Sequence, residues 1–393
     1  MTIRPLVEWR ARKIRDPVLR LRFLRSKAPR TIRRGRLKPS KRVYLTAITA
    51  ILAAAVVFFD QPARGSHQAN MVLSAPPQAT ALPPASAPSS ATVSSSASAP
   101  VKGSPEIWLV ETTDAAETYS NGLRVETRFA VGSRPRSYRA FPVAHPEETR
   151  GEPRSQPAGI VFHTTESLQA PFEPRQNAVL KQISESLLEY VRRRRAYNFL
   201  IDRFGRVYRV VVESDAADHA GHSVWRDEQW FYVNLNESFL GVSFETETLP
   251  GQVEAAISPA QLHSAAMLTE MLRSRYGIPA ANCVTHAQVS VNPYNMQVGY
   301  HTDWASGFPF EQVGLPDNYG QPLPALLAFG FTYDASFVSR TGGRMYRGVQ
   351  RAGQLLEDRA AAAQLQLPAY REALQKRYWR QVNIQNYEGT TQQ

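Results

Sequence analysis

The sequence is poor in cysteine: Cys283 is the only one in 393 residues, so no disulfide can form within the chain. The fold must therefore rest on its apolar core, and a bound metal ion is a second means of holding it. Cys283 has no base beside it in the sequence that would activate a thiolate, and we expect it to be buried and unreactive.

Net positive charge is confined to one segment. The formal net charge of the chain is +12, yet residues 1–42 hold 16 Lys and Arg against Glu8 and Asp16, a net charge of +14. The remaining residues therefore sum to −2, so they lack the excess positive charge that neutralises nucleic-acid phosphates. We expect no nucleic-acid partner.

Charge is absent altogether from residues 43–59, a run of 17 mostly apolar residues that follows Lys41 and Arg42. About 17 to 25 such residues let a helix cross a membrane, so this run predicts one transmembrane helix. The basic residues before it predict a cytoplasmic head at residues 1–42. They also predict a single-pass anchor in the inner (cytoplasmic) membrane, with the rest of the chain on the periplasmic or extracytoplasmic side. A cleaved signal peptide is the alternative, and it exports the same residues.

Large apolar residues are scarce in residues 60–104, where Ala, Pro and Ser dominate. Such a composition cannot bury a core, and its prolines disfavour regular structure. We interpret this segment as a linker that lets a domain reach out from the membrane toward a fixed polymeric partner. A passive spacer is the alternative interpretation.

From residue 105 onward, strand-like runs alternate with helical ones. Runs rich in β-branched and aromatic residues predict strands at 106–112, 123–131, 159–163 and 239–247, and a hairpin at 197–211.

Helices are predicted by apolar spacing between residues 179 and 191, and between an N-cap at Ser258 and a terminating Gly277. This mixture predicts an α/β fold with a mixed central β-sheet flanked by helices, in a domain at residues 105–320. An Ala-rich helical pattern at 354–380 predicts a C-terminal helical extension, residues 321–393. We expect the extension to pack on the outside of the domain or to contact a partner.

Three of the eight histidines, His163, His286 and His301, end apolar runs or sit in the polar loops that follow them. Two imidazoles that terminate strands, together with a carboxylate, are a donor set that zinc accepts. A catalytic zinc site uses three protein ligands and leaves one position for water. A lone histidine is more often structural, and such sets need not meet in space. The residues alone leave both interpretations open.

Several segments between residues 159 and 310 stand in a defined order: GIVFHTTES, AYNFLIDRFGRVYRV, HAGHSVW, SFLGVSFETE, THAQVS and HTDWASGFPF. In this order they resemble segments of the type-2 N-acetylmuramoyl-L-alanine amidases, relatives of the peptidoglycan recognition proteins. HAGHSVW is the most specific of them. The resemblance implies an amidase/peptidoglycan-recognition-like fold. It also implies zinc-dependent hydrolysis of the amide bond between N-acetylmuramic acid and L-alanine, in peptidoglycan or in muropeptides.

The resemblance further implies that His163, His286 and Asp303 bind Zn2+. Zinc polarises the scissile carbonyl and lowers the pKa of water to about 7, which supplies a nucleophile at neutral pH and makes a serine or cysteine nucleophile unnecessary. The stretch VNPYNMQVG makes the interval from His286 to Asp303 longer than in the family. We therefore expect a loop that bulges before it returns the carboxylate to the metal.

Three residues are candidates for catalysis. Ser243 stands where the family carries a strand glutamate, and Glu245, two positions on and so on the same strand face, is the candidate general base. His301 stands two residues before Asp303, where hydrolytic relatives often carry a lysine, and is a candidate for stabilising the oxyanion. Tyr197 stands at the position of the family's active-site tyrosine. The alternatives are a surface glutamate, a histidine packed in a loop and a core tyrosine.

His219 and Trp225, both in HAGHSVW, are candidates for shaping the substrate groove, because imidazole and aromatic faces pack well on sugar and peptide. Two other hypotheses about the function compete with hydrolysis. One is a membrane-anchored module that binds peptidoglycan without cutting it, against which the three candidate ligands argue. The other is a scaffold that acts through its basic head on anionic lipid or nucleic acid.

Overall fold

The computed structural model describes residues 106–148, 150–248 and 257–391. The predicted basic head, the predicted transmembrane helix at residues 43–59 and the predicted linker lie outside these residues. Within the described ranges, no helix combines the length and the apolar character needed to cross a membrane.

The described part of the chain contains many short strands. They are β1 (Leu109–Thr112), β2 (Ala116–Tyr119), β3 (Arg124–Glu126), β4 (Arg134–Pro135), β5 (Tyr138–Pro142), β6 (Glu152–Arg154), β7 (Gly159–Thr164), β8 (Phe199–Ile201), β9 (Val207–Arg209), β10 (Asp215–Ala216), β11 (Val224–Arg226), β12 (Trp230–Val233), β13 (Phe239–Phe244), β14 (Cys283–Thr285), β15 (Val291–Asn292) and β16 (Gln297–Val298). Eight of them form one sheet in the order β1-β2-β3-β9-β8-β13-β7-β14, and β11-β12-β5-β6 form a second sheet. The others pair as two ribbons, β10 with β4 and β15 with β16.

The centre of the main sheet consists of β7 and β13, which are buried along their whole length. Short apolar runs of this kind are typical of parallel strands that are covered on both faces. β13 pairs in parallel with both β7 and β8, and its register places Ser243 beside His163. The outer strands β1, β2 and β3 pair antiparallel, so the sheet is mixed.

The α-helices of the described residues are α1 (Asn177–Arg194), α2 (Leu235–Ser238), α3 (Pro259–Tyr276), α4 (His286–Val289), α5 (Pro324–Phe329), α6 (Ala335–Ala362) and α7 (Leu367–Thr391). Short 3₁₀ helices lie at Pro174–Gln176, Ala280–Asn282 and Glu311–Val313. Leu200 of β8 packs in one apolar cluster with Leu188 of α1, whereas its neighbours Phe199 and Ile201 belong to another cluster with Leu268 of α3. Successive strand side chains point to opposite faces, so α1 and α3 cover the two faces of the sheet. The predicted α/β class, with a mixed central sheet flanked by helices, is confirmed.

α3 begins and ends where the sequence predicts. The Ser258 hydroxyl accepts from the Gln261 N–H and the Gln261 side chain accepts from the Ser258 N–H, which forms a capping box. Gly277 ends the helix with a φ of 64°, a conformation that glycine adopts without steric cost. By contrast, β3 is shorter than the predicted strand at 123–131, because the chain turns where the Ala130 N–H donates to the Thr127 carbonyl.

The C-terminal helical pattern forms two helices rather than the predicted single run at 354–380. Pro368 lies in the first turn of α7, where a proline is tolerated, and it could not have continued α6. The ring of Tyr378 in α7 packs on Phe329 and Phe331, at centroid distances of 6.1 and 5.0 Å. These residues belong to the same core cluster as residues of the main sheet. The predicted domain boundary at residue 320 stays a prediction.

Candidate metal centre

His163 lies near the carboxyl end of β7. The apolar residues before it bury the strand, and only 1% of His163 is exposed. Its ring neighbours are Tyr197, His219 and His286, at centroid distances of 5.1, 5.2 and 4.4 Å. The structure therefore brings four of the residues singled out in the sequence to one place.

β14 and α4 position His286. β14 pairs in parallel with β7, and α4 begins at His286, directly after the strand. Thr285 caps this short helix through a capping box with Gln288, which determines how the chain leaves the sheet. The Ala287 N–H donates to the Asp303 carbonyl at 3.2 Å, which ties the loop of Asp303 to α4.

Trp304 anchors the loop that carries Asp303. Trp304 is 2% exposed and has a left-handed φ of 55°. Its ring packs on Phe244 and Phe308, and its carbonyl accepts from the Tyr319 hydroxyl at 2.7 Å. Because the residue after Asp303 is held on several sides, the carboxylate has little freedom to turn away from the histidines.

His163, His286 and Asp303 form a compact group, the His–His–Asp cluster. Asp303 Oδ2 lies 3.2 Å from His163 Nδ1, and Asp303 Oδ1 lies 2.8 Å from His286 Nδ1. Burial lowers the pKa of His163 to about 4, with the neighbouring His286 acting in the same direction and Asp303 against it. Burial alone would raise the pKa of Asp303, but the two histidines hold it well below its usual range. At neutral pH the cluster thus presents an ionised carboxylate beside a neutral His163.

The donor set of the cluster fits zinc. One ligand atom from each of the three residues lies within 4.8 Å of the other two. Two imidazole nitrogens and a carboxylate oxygen are ligands that zinc accepts, and three protein ligands are the usual number in a catalytic site. Among the described residues, this is the only group of three or more His, Cys, Asp or Glu side chains that is so placed.

His219 lies directly against His163. Its Nδ1 is 3.1 Å from His163 Nε2, and its Nε2 is 3.2 Å from the Phe239 carbonyl oxygen. Burial, followed by the nearby His163 and His286, holds the pKa of His219 well below its usual value. The contact with His163 spans 56 positions of sequence, and no sequence signal points to it. The predicted role of His219 in the substrate groove stays a prediction.

Tyr197 lies on another side of His163, next to a cavity of about 210 Å³. Its φ is 64°, a left-handed conformation that costs a non-glycine residue about 1–2 kcal/mol. Burial, and then the charge of Asp303, raises the pKa of the phenol, which is therefore protonated at neutral pH and able to donate. The cavity is lined by Thr165, Leu187, Tyr190, Val191, Arg194, Ala196, Tyr197 and Asp218. Tyr190, which is 53% exposed near the end of α1, belongs to this lining although no pattern in the sequence points to it.

His301 lies beside the cluster. Its ring stacks on that of His286 at a centroid distance of 4.7 Å and an interplanar angle of 19°. Its backbone N–H donates to the Ser290 hydroxyl. The extra residues between His286 and Asp303 contain the ribbon β15–β16. The predicted bulge is therefore a small hairpin that leaves both ends of the interval next to each other. The role of His301 in catalysis stays a prediction.

Glu245 follows β13 and is fully buried, but its described contacts lie away from the cluster. Its Oε2 accepts from the Ser184 hydroxyl at 2.6 Å and from the backbone N–H of Arg203 at 3.3 Å. Burial raises the pKa of this carboxyl group. Ser243, which lies beside His163 in the sheet, is also fully buried. The role of Glu245 as general base stays a prediction, and Asp303 is the carboxylate in contact with both ligand histidines.

Trp225 and Cys283 lie in the core. Trp225 is 5% exposed, and its Nε1–H donates to Asn282 Oδ1 at 3.1 Å, so little of the indole faces solvent. Its predicted place in the substrate groove stays a prediction. Cys283 has no exposed surface, and burial raises the pKa of its thiol to about 12. Both properties agree with the expected buried, unreactive thiol.

The parallel strands β7 and β14 bring two histidines to an aspartate, which defines a layered α/β domain with a candidate metal centre. Residues 153–303 match the family model of the N-acetylmuramoyl-L-alanine amidases. This segment contains all three residues of the His–His–Asp cluster. Over these residues the chain is therefore similar to the type-2 amidase family, and the resemblance seen in the sequence is confirmed.

Several solved structures are similar to the chain. The N-acetylmuramoyl-L-alanine amidase LysC from Clostridium intestinale has 19% identity and a TM-score of 0.26, over 47% of this chain and 93% of that chain. AmiD from E. coli has 19% identity and a TM-score of 0.35, over 55% and 90%. The Drosophila peptidoglycan recognition protein SD has 15% identity and a TM-score of 0.25, over 41% and 84%. No curated protein matches the sequence.

Proposed function

We propose that this chain is a zinc-dependent amidase that hydrolyses the bond between N-acetylmuramic acid and L-alanine in peptidoglycan or muropeptides. The observation that carries the proposal is the His–His–Asp cluster. It lies inside the segment that matches the amidase family, and its ligand atoms lie within 4.8 Å of one another. His163, His286 and Asp303 would hold the ion. When bound, zinc polarises a carbonyl group and lowers the pKa of water to about 7.

The surrounding residues would bind and orient the substrate. The protonated phenol of Tyr197 would donate a hydrogen bond to a substrate carbonyl. His301, whose ring stacks on His286, would donate to a developing oxyanion, and the stacking supports this role. The cavity beside Tyr197, about 210 Å³, is smaller than the roughly 300–1,000 Å³ of a typical ligand pocket. It would therefore receive one group of a muropeptide. Arg194 in its wall suits a carboxylate of the stem peptide.

We also propose that a single helix at residues 43–59 anchors the chain in the cytoplasmic membrane, with the amidase domain on the outer side. The run of 17 uncharged residues and the basic residues before it support this topology. The linker at residues 60–104 would let the domain reach a fixed polymer. Protease treatment of spheroplasts should digest the amidase domain, and its protection would contradict the topology.

The test of the activity combines metal analysis with digestion of a purified muropeptide by the full-length protein. We expect about one zinc ion per chain, the number that a three-ligand site holds. Mass spectrometry should show free stem peptide beginning with L-alanine. A chelator should abolish this release, and added zinc should restore it. His263→Ala, which changes an exposed histidine of α3 outside the cluster, is the matched control for variants of the cluster.

A non-catalytic binding module is the second candidate, and Ser243 is the observation that favours it. This residue lies beside His163 where the family carries a glutamate, so a carboxylate is missing from that position. Muropeptide binding without any released stem peptide, in protein that carries zinc, would support this function over hydrolysis.

A further inference from the structure

The adjacent residues His219 and Ala220 contact the Nε2 atoms of the two ligand histidines. His219 Nδ1 lies 3.1 Å from His163 Nε2, and the Ala220 carbonyl oxygen lies 3.3 Å from His286 Nε2. In both histidines the other ring nitrogen, Nδ1, faces Asp303. One short segment of the HAGHSVW motif therefore holds the two imidazoles on the side away from the candidate metal position.

The two carbonyl groups determine where the ring protons lie. A carbonyl oxygen only accepts, so Nε2 of His286 donates to Ala220, and Nε2 of His219 donates to Phe239. Nδ1 of a neutral His219 is then an acceptor, and Nε2 of His163 must be the donor in the contact between the two rings. In the neutral form of each ligand ring the hydrogen therefore lies on Nε2, and the lone pair lies on Nδ1.

The surroundings of His219 hold it in this state. Arg136, which is 3% exposed, donates to the same Phe239 carbonyl at 3.1 Å. The Phe239 carbonyl oxygen therefore accepts from both Arg136 and His219, which fixes the direction of the His219 ring. Asn236 Oδ1 accepts from the N–H groups of both His219 and Ala220, at 3.0 and 2.6 Å, which fixes the backbone of the segment.

Two imidazole lone pairs that face one carboxylate repel it unless a cation lies among them. We propose that His219 is a positioning residue. It accepts the Nε2 hydrogen of His163 and so presents Nδ1 of that ligand to the metal, while the carbonyl of Ala220 does the same for His286. A partner on the second ring nitrogen fixes the tautomer and orientation of a ligand histidine and raises its basicity. The inference rests on the proposed zinc site, and it assigns His219 a function other than contact with the substrate.

A pair of near-isosteric variants tests the proposal in the full-length protein. His219→Leu removes the acceptor, whereas His219→Asn keeps an acceptor oxygen close to the position of Nδ1. We expect His219→Leu to weaken zinc binding by about 10- to 100-fold in competition with a chelator of known affinity, and His219→Asn to weaken it by less than about tenfold. His222→Leu, which changes an exposed histidine of the same loop, should bind zinc as the wild type does.

Nitrogen NMR of the zinc-loaded wild type provides a test that needs no variant. Protein with 15N-labelled histidine should show His163 and His286 protonated at Nε2, and His163 protonated at Nδ1 would overturn the proposal. Equal zinc affinities of the Leu and Asn variants, both folded, would overturn it as well. Zinc binding by the wild type without muropeptide hydrolysis would refute the proposed function and leave this inference intact. A wild type that binds no zinc would refute both.

Discussion

Replacement of Gly241 by alanine would show how strongly the cluster depends on the position of His219. Gly241 lies in β13 under the His219 ring, and an added Cβ would lie 2.6 Å from His219 Cγ and 2.9 Å from its Cβ. Unstrained van der Waals contacts between carbon atoms begin at about 3.5 Å, so the His219 ring must move by about 1 Å. The contact between His219 and His163 is 3.1 Å long, and a shift of this size takes it beyond the roughly 3.2 Å limit of an ordinary N–H hydrogen bond.

We expect two separate losses in Gly241→Ala. Overpacking costs about 1–3 kcal/mol of unfolding free energy, which urea unfolding of the metal-free protein measures. The lost hydrogen bond to His163 should weaken zinc binding by about 10- to 100-fold, which chelator competition measures.

The matched control is Gly330→Ala. Its Cβ would lie 2.7 Å from the Arg371 carbonyl oxygen, at the contact between the end of α5 and α7. This variant should lose stability and keep its zinc affinity. A Gly241→Ala protein with the stability and the zinc affinity of the wild type would refute the reasoning, because His219 would then not be confined between β13 and His163.

Four further predictions concern the cluster and its neighbours. His163→Ala and Asp303→Ala should each lose zinc, by elemental analysis, and activity, because two protein ligands hold the ion too weakly. Glu245→Gln should keep zinc and lower turnover by about 10²- to 10⁴-fold, the usual contribution of a positioned general base. His301→Ala should keep zinc and lower kcat/KM by at least about tenfold, and His301→Lys should restore part of the loss and extend activity to higher pH. In the metal-free protein, burial lowers the pKa of His163 from 6.5 to about 4, so its contribution to stability is complete above pH 6.5 and is lost as the pH falls toward 4. At about 1.4 kcal/mol per pKa unit, the unfolding free energy decreases by about 3 kcal/mol over this pH range. Urea unfolding should show a smaller decrease in His163→Leu than in the wild type.

Specific results would contradict each of these predictions. An active Asp303→Ala protein that retains zinc would place the third ligand elsewhere, with His301 next in line because its ring stacks on His286. Normal turnover of Glu245→Gln would assign the base to another group, in keeping with the contacts of Glu245 to Ser184 and Arg203. Full activity of His301→Ala would show that its ring serves packing. An unchanged pH profile in His163→Leu would show that His163 does not govern acid stability.

Local sequence rules predict the elements that hold the cluster. The apolar runs of β7 and β13 are short and nearly continuous, as expected for parallel strands covered on both faces. Ser258 and Gly277 mark the two ends of α3 because each forms its cap from residues close in sequence. The break between α6 and α7 is also predictable from the sequence, because Pro368 cannot continue a helix.

The contacts within the site depend on long-range packing, and residue patterns alone do not predict them. Asp303 meets His163 across 140 positions, and composition leaves open whether they meet at all, so the prediction of the ligand set came from the family resemblance. The Glu245 carboxylate is held by the hydroxyl of Ser184 on α1, a contact that spans 61 positions of sequence. His219 was singled out for its motif, but its partner follows only from the way β13 lies beside β7.

The packing of α7 has a consequence for how the protein acquires its structure. Gln385 accepts a hydrogen bond from the Arg139 N–H across 246 positions, and Tyr378 packs on Phe329 and Phe331 in the core shared with the main sheet. When the segment that matches the amidase family has been synthesised, the residues that complete this core do not yet exist. Folding that waits for such distant contacts is slow and leaves apolar surface exposed in the meantime. The stability of the segment that matches the amidase family therefore depends on α7, which lies outside that segment.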